Sequence, residues 1–247
     1  MEVEQLREDA LMRLAKYETV FLLDDSWSMT EGDPSRWEQT VKACTSLAAN
    51  VSRYSPDGFE IRTLNCGRSG RCKARYLSGI LMMHSPVSPS GSTPLGERLT
   101  EILEAYDQKL YATMDFTMKR ILRSPLPKPL NCIVITDGKP DNQRLVEDLI
   151  IETATRLKDT RAPLTQIGIQ FVQIGDDKNA SEWLEKLDDK IKVSSSASKG
   201  VWTRYELQNQ VWDIVDTCRY KSSSKKVDFE KILLGAINRR IDKLQKT

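Results

Sequence analysis

Thr19-Val20-Phe21-Leu22-Leu23-Asp24-Asp25-Ser26-Trp27-Ser28-Met29 decides how this chain is read. Five residues dominated by β-branched and large apolar side chains predict a buried strand, placed at 19–24, which stops on two aspartates and alternating serines. The spacing of Asp24, Ser26 and Ser28 lets one loop offer three hard oxygens to one cation. Counting from Asp25 would put Trp27 at the second ligand position, so Asp25 is expected not to touch the ion. Taken singly, each residue also has an ordinary structural use, since serine and aspartate favour turns and helix N-caps.

Two later segments join the first. Ser90-Gly91-Ser92-Thr93-Pro94 stands before a helical stripe of Leu95, Leu99, Ile102, Leu103 and Tyr106, with Thr93 and Pro94 as cap and first-turn residues. Leu130 to Thr136 is nearly all apolar, as expected of a central parallel strand covered on both faces, and it ends at Asp137-Gly138. In an open α/β sheet, ligands sit in the crevice at the carboxyl ends of the strands, so two strand-terminal aspartates and a hydroxyl-bearing helix start can converge there. Carboxylate and hydroxyl oxygens suit Mg²⁺, Mn²⁺ or Ca²⁺ rather than zinc or copper.

The remaining pattern alternates. Val3, Leu6, Ala10 and Leu14 predict an amphipathic helix over 2–16, and Ser35 through Ser52 a second helix ending before the turn Ser55-Pro56-Asp57-Gly58. Phe59 to Leu64 alternates like a half-exposed strand, 65–76 reads as a basic, glycine-containing loop, and 77–83 as a short strand. Residues 107–129, ending in Pro125, Pro127 and Pro129, read as a connector. A helix with Val146, Leu149, Ile150, Thr153 and Leu157 inward leads to a strand at 166–174 and a short helix at 180–187. Ile191-Lys192-Val193 is expected as an edge strand, Ser194 to Ser198 as a loop, and Phe229 to Leu244 as one closing helix. Together these predict an α/β fold with a doubly wound, mostly parallel central sheet and helices on both faces. The chain is read as one domain, 1–247, with its core at about 17–188 and a C-terminal helical extension at about 204–244.

Composition narrows the function classes. Thirty-seven basic against 35 acidic residues give a net charge of +2, which does not advertise nucleic acid or an anionic membrane. Two basic stretches, Arg68, Arg71, Lys73 and Arg75, and Lys221, Lys225, Lys226, Arg239 and Arg240, keep an RNA-binding alternative open. No apolar run reaches spanning length and the acidic start is unlike a secretory signal, so a cytoplasmic or nuclear location is expected. Five cysteines are an odd count, expected to be reduced; Cys66, Cys72 and His84 lack a fourth ligand at zinc spacing. With one histidine, no Gly-x-Ser-x-Gly elbow and no P-loop, the chain is expected not to be an enzyme.

Asp24-x-Ser26-x-Ser28, Thr93 and Asp137, in that order, resemble the metal-ion-dependent adhesion site of the von Willebrand factor type A (vWA) domain. The stand-alone intracellular members are the nearer likeness, through Gly91-Ser92-Thr93-Pro94, Val134 to Gly138 and Gly168-Ile169-Gln170-Phe171. The resemblance spans about Tyr17 to Asp188. It implies that Ser26, Ser28 and Thr93 coordinate a cation, usually Mg²⁺, while Asp24 and Asp137 act directly or through water. An acidic residue of a partner protein then completes the shell. Where the family usually has glycine, this chain has Trp27, expected at the partner-facing rim. A metal-free structural scaffold is the plainer alternative.

Overall fold

The structure, a computed structural model, describes residues 8–67, 69–72, 88–114, 126–160, 162–163, 165–194, 213–220 and 229–238. Six strands form its sheet: β1 (Glu18–Leu23), β2 (Phe59–Thr63), β3 (Ser69–Cys72), β4 (Leu130–Thr136), β5 (Ile167–Gln173) and β6 (Val215–Arg219). Their spatial order is β3-β2-β1-β4-β5-β6. Every pairing is parallel except β2 with β3, where Phe59 faces Cys72. Chain direction across the sheet reverses between β1 and β4, which is the topological switch point of a doubly wound fold.

Both faces of the central strands are buried, as their uninterrupted apolar runs require. One face carries Val20, Leu22, Cys132, Val134, Ile169 and Phe171. Against it pack α2 (Leu95–Met114), α3 (Gln143–Asp159) and α4 (Lys178–Ser194), through Leu99, Leu103, Val146, Ile150 and Leu187 among others. The other face carries Phe21, Leu23, Ile133, Ile135 and Val172, covered by α1 (Arg36–Tyr54) and α5 (Phe229–Leu234). Period-2 alternation along each strand and 3.6-residue spacing along each helix are what divide the apolar residues between the two layers. Each fully buried leucine, isoleucine or phenylalanine contributes about 1.5–3 kcal/mol.

Helix starts carry their own signals. Ser35 Oγ accepts the Glu38 N–H at 3.2 Å while the Glu38 carboxylate accepts the Ser35 N–H at 2.9 Å, a reciprocal capping box at the head of α1. Asn142 caps α3 by accepting from Leu145 N–H at 3.0 Å.

Several expectations are corrected. The basic stretch placed in a loop contains β3, an antiparallel edge strand whose pairing needs only backbone. Helix α2 runs through Met114, well into the stretch assigned to a connector. Ile191-Lys192-Val193 continue α4, so the edge of the sheet is β6. The closing helix is short: α5 stops at Leu234 and a 3₁₀ turn, Gly235–Ile237, follows. At the N-terminus, residues 8–12 are helical and pass into a 3₁₀ turn, Arg13–Lys16. The strand placed at 77–83, the loop at 195–198 and the ends of the two terminal helices lie outside the described residues.

Candidate functional site

Strands β1 and β4 are neighbours in register, Leu23 beside Ile135, so the residues that follow them emerge together. Asp24 N–H donates to Ile135 O at 2.9 Å and carries the pairing one step past the strand. Beyond that, hydrogen bonds connect the two loops. Ser26 N–H donates to Asp24 Oδ1 at 2.9 Å, Ser26 Oγ and Ser28 Oγ are 3.2 Å apart, and Ser28 Oγ donates to Asp137 Oδ1 at 3.0 Å. The other Asp24 oxygen accepts from Thr136 Oγ at 2.6 Å. Four of the five sequence-predicted ligand residues thus form one hydrogen-bonded chain across the switch point.

Thr93 joins through its backbone. Its N–H donates to Asp141 Oδ1 at 3.0 Å, its carbonyl accepts from Asp141 N–H at 3.1 Å, and two residues earlier Gly91 O accepts from Trp27 N–H. Ser90 N–H donates to Asp25 O at 2.8 Å. The helix-start loop is therefore tied to both strand-end loops.

Asp25 is buried and turned away from this chain. Its two carboxylate oxygens accept the backbone N–H groups of Asn65 and Cys66 at 2.7 and 2.8 Å. The Asp25 carboxylate, expected not to touch the ion, is engaged with the backbone that follows β2.

Charge sets what the pocket of oxygens can hold. Asp24 is 1% exposed, and burial pushes its carboxyl up to about 6, against hydrogen bonds from Ser26 and Thr136 and with the neighbouring Asp137 adding to the rise. A buried carboxylate in that condition is short of compensating positive charge. Two carboxylates with neutral hydroxyls between them make a hard-oxygen donor set that fits a small dication. Among the described residues no group of three or more His, Cys, Asp or Glu is placed to hold a metal ion.

Among solved structures, the chain is similar to the SpRpn10 VWA domain. The two are 14% identical, the match covers 89% of this chain and 94% of that one, and the TM-score is 0.41. No protein-family model and no curated protein matches. The α/β class rests on the chain's own six-stranded sheet.

Two residues of the site escaped the sequence reading. Asp141 was signalled by Pro140-Asp141-Asn142, an ordinary helix-start composition, although nothing in it named Thr93 as the partner. Arg36 is the larger omission. Its Nη1 lies 2.8 Å from Asp137 Oδ2, 3.0 Å from Glu31 Oε2 and 3.2 Å from Ser28 O. A cation at the first position of a helix opposes the macrodipole, and that mismatch was the available hint that its charge is used elsewhere.

Trp27 opens a 3₁₀ turn, Trp27–Thr30, a right-handed backbone that does not demand glycine, and it is 64% exposed. Of the basic stretches, Arg71 is paired with Glu18 at 2.7 Å; Arg68, Lys73, Arg75, Lys221, Lys225, Lys226, Arg239 and Arg240 lie outside the described residues. Cys44, Cys66, Cys132 and Cys218 are in no disulfide, Cys44 and Cys132 being buried; His84 lies outside the described residues. No helix of the described residues is long and apolar enough to cross a membrane.

Proposed function

We propose that the chain is a protein-binding module of the vWA type, whose ligand is an acidic residue of a partner received at a divalent-cation site. The observation that carries this reading is the hydrogen-bonded chain from Asp24 through Ser26 and Ser28 to Asp137, lying across the carboxyl ends of β1 and β4. Ser26, Ser28 and Thr93 are the neutral donors, and Asp24 and Asp137 the anionic ones. A bound Mg²⁺, Mn²⁺ or Ca²⁺ supplies an electrophilic position for an outside carboxylate. The neutral hydroxyls keep the donor set from cancelling that charge. Asp25 and Asp141 hold the loops, and the exposed Trp27 ring offers apolar contact area beside the site. The interaction makes and breaks no covalent bond.

Thermal unfolding tests it. Mg²⁺ at about 100 times its dissociation constant should stabilise the protein by about 2.7 kcal/mol, raising the melting temperature by roughly 5 to 10 °C over chelator. Asp137→Ala should abolish the rise. A rise that survives both Asp137→Ala and Asp24→Ala would locate the ion elsewhere.

Trp27→Ala should change stability by no more than about 0.5 kcal/mol, since the ring is exposed, yet weaken capture of an acidic partner. A large fall in melting temperature with capture intact would assign the ring to packing.

One observation favours the metal-free scaffold as a second reading. Arg36 already brings a positive charge to Asp137. On that reading melting is the same in Mg²⁺ and in chelator.

A further inference from the structure

Arg36 is the first residue of α1, and its guanidinium folds back over the site rather than out to solvent, with 23% of its side chain exposed. The Asp137 side chain it meets is 2% exposed, so the contact is a largely desolvated, charge-assisted hydrogen bond. Space for it is provided by Gly175, at the end of β5, where a Cβ would come within 3.3 Å of Arg36 Nε and where φ is +78°. The same Nη1 is within 3.0 Å of Glu31, whose side chain is half exposed. Three elements, the 3₁₀ turn after β1, the head of α1 and the turn after β5, thus hold one guanidinium against one candidate ligand.

We infer that Arg36 is an intramolecular competitor for Asp137. This rests on the cation-site reading above and deepens it. A dication and the guanidinium draw on the same carboxylate, one oxygen of which already receives Ser28 and the other Arg36. Cation binding therefore requires Arg36 to loosen its hold on Asp137, and Glu31 is the carboxylate that keeps it paired when it does. The consequence is a site set to weaker affinity than its oxygens alone would give. An acidic partner has a second role here: its carboxylate favours the cation-bound arrangement and shifts the balance away from Arg36, which couples cation binding to partner binding.

The test is the dissociation constant for Mn²⁺, measured calorimetrically on the full chain with no partner present. Arg36→Met keeps the aliphatic stem and removes the charge; it should tighten Mn²⁺ about tenfold or more, and Arg36→Gln should move in the same direction. Lys139→Met removes a positive charge from the exposed end of the Asp137 loop and should tighten Mn²⁺ less than about threefold, the part owed to general field alone. Mn²⁺ bound by Arg36→Met and Arg36→Gln but not by the unaltered protein would support the inference in its strongest form. If the unaltered protein binds and the two Arg36 variants bind no more tightly, or if Lys139→Met tightens as much, the inference is overturned while the cation site stands. Failure of all these proteins to bind Mn²⁺ would end the cation-site reading and the inference with it. Far-UV circular dichroism and the melting temperature in chelator show which variants are folded and can be compared.

Discussion

Gly235→Ala is expected to cost roughly 3 kcal/mol or more and to lower the melting temperature by about 6 to 12 °C, the upper end for overpacking in a chain of this size. A Cβ at this position would fall on Asp216 Oδ2 and within 2.5 Å of Gln170 Oε1. Both side chains are buried, so neither has an outlet to solvent, and Gln170 Oε1 is engaged by the Ala236 N–H at 3.1 Å. The segment that carries Gly235 docks across three strands: Asn131 of β4 donates to Leu233 O at 2.9 Å, Gln170 belongs to β5 and Asp216 to β6. Gly168 makes the matching approach from the sheet side, where a Cβ would stand 2.5 Å from Ile237 Cγ2 and 3.0 Å from Ala236 O. A methyl group added at Gly235 therefore meets buried polar side chains of two strands, and one added at Gly168 meets Ile237 and the backbone of Ala236. Gly70→Ala, on β3 with nothing within 4 Å of the added atom, should stay within about 0.5 kcal/mol of the parent protein. Equal melting temperatures for the two variants would show that the C-terminal segment is not docked this way.

The same contact explains what in the fold was legible and what was not. Strands β1, β4 and β5 announce themselves because both their faces are buried and their sequences are continuous apolar runs. β6 carries Asp216 and Thr217 within Val215–Arg219, and a buried aspartate on the face covered by α5 erases the apolar signal. β3 is Ser69-Gly70-Arg71-Cys72, an edge strand specified by its partner's backbone rather than by its own side chains. The closing helix failed differently. Its apolar period continues past Leu234, but the close approach of Gly235 to Gln170 and Asp216 ends the regular helix, a tertiary demand that no local pattern contains.

At the candidate site, the divisions run along similar lines. Asp24, Ser26, Ser28 and Asp137 were legible because they terminate strongly patterned strands, so their convergence follows from the sheet. Thr93 was legible as a helix start. Arg36 was not, because a side chain reaching back from a helix head to a strand-end loop 101 positions away leaves no periodic trace.

Asp24 and Asp25, neighbours in sequence, are expected to respond oppositely to loss of charge. Asp25→Ala should cost about 3 kcal/mol, on the order of 10 °C in melting temperature, with no recovery in Mg²⁺. Its carboxylate accepts the N–H groups of Asn65 and Cys66, and its carbonyl accepts from Ser90, so one residue fastens the turn after β2 and the loop before α2 to the end of β1. The substitution leaves the carbonyl and its Ser90 contact in place but takes the acceptor from both N–H groups of the turn after β2, which frees that turn from the end of β1. Asp24→Asn is different: the amide oxygen can still accept from Ser26 N–H, and the amide nitrogen can donate to Thr136 Oγ, which now donates to the carboxylate. The substitution keeps the hydrogen bonds and removes a buried charge, so melting in chelator should stay within about 2 °C of the parent. What it should lose is the rise on adding Mg²⁺, because a neutral amide leaves the donor set one anion poorer. The comparison is four melting curves, each variant with Mg²⁺ and with chelator. Equal destabilisation of both variants in chelator would make Asp24 a structural residue like its neighbour, and the oxygens at the switch point would then be a brace between strands instead of a cation site.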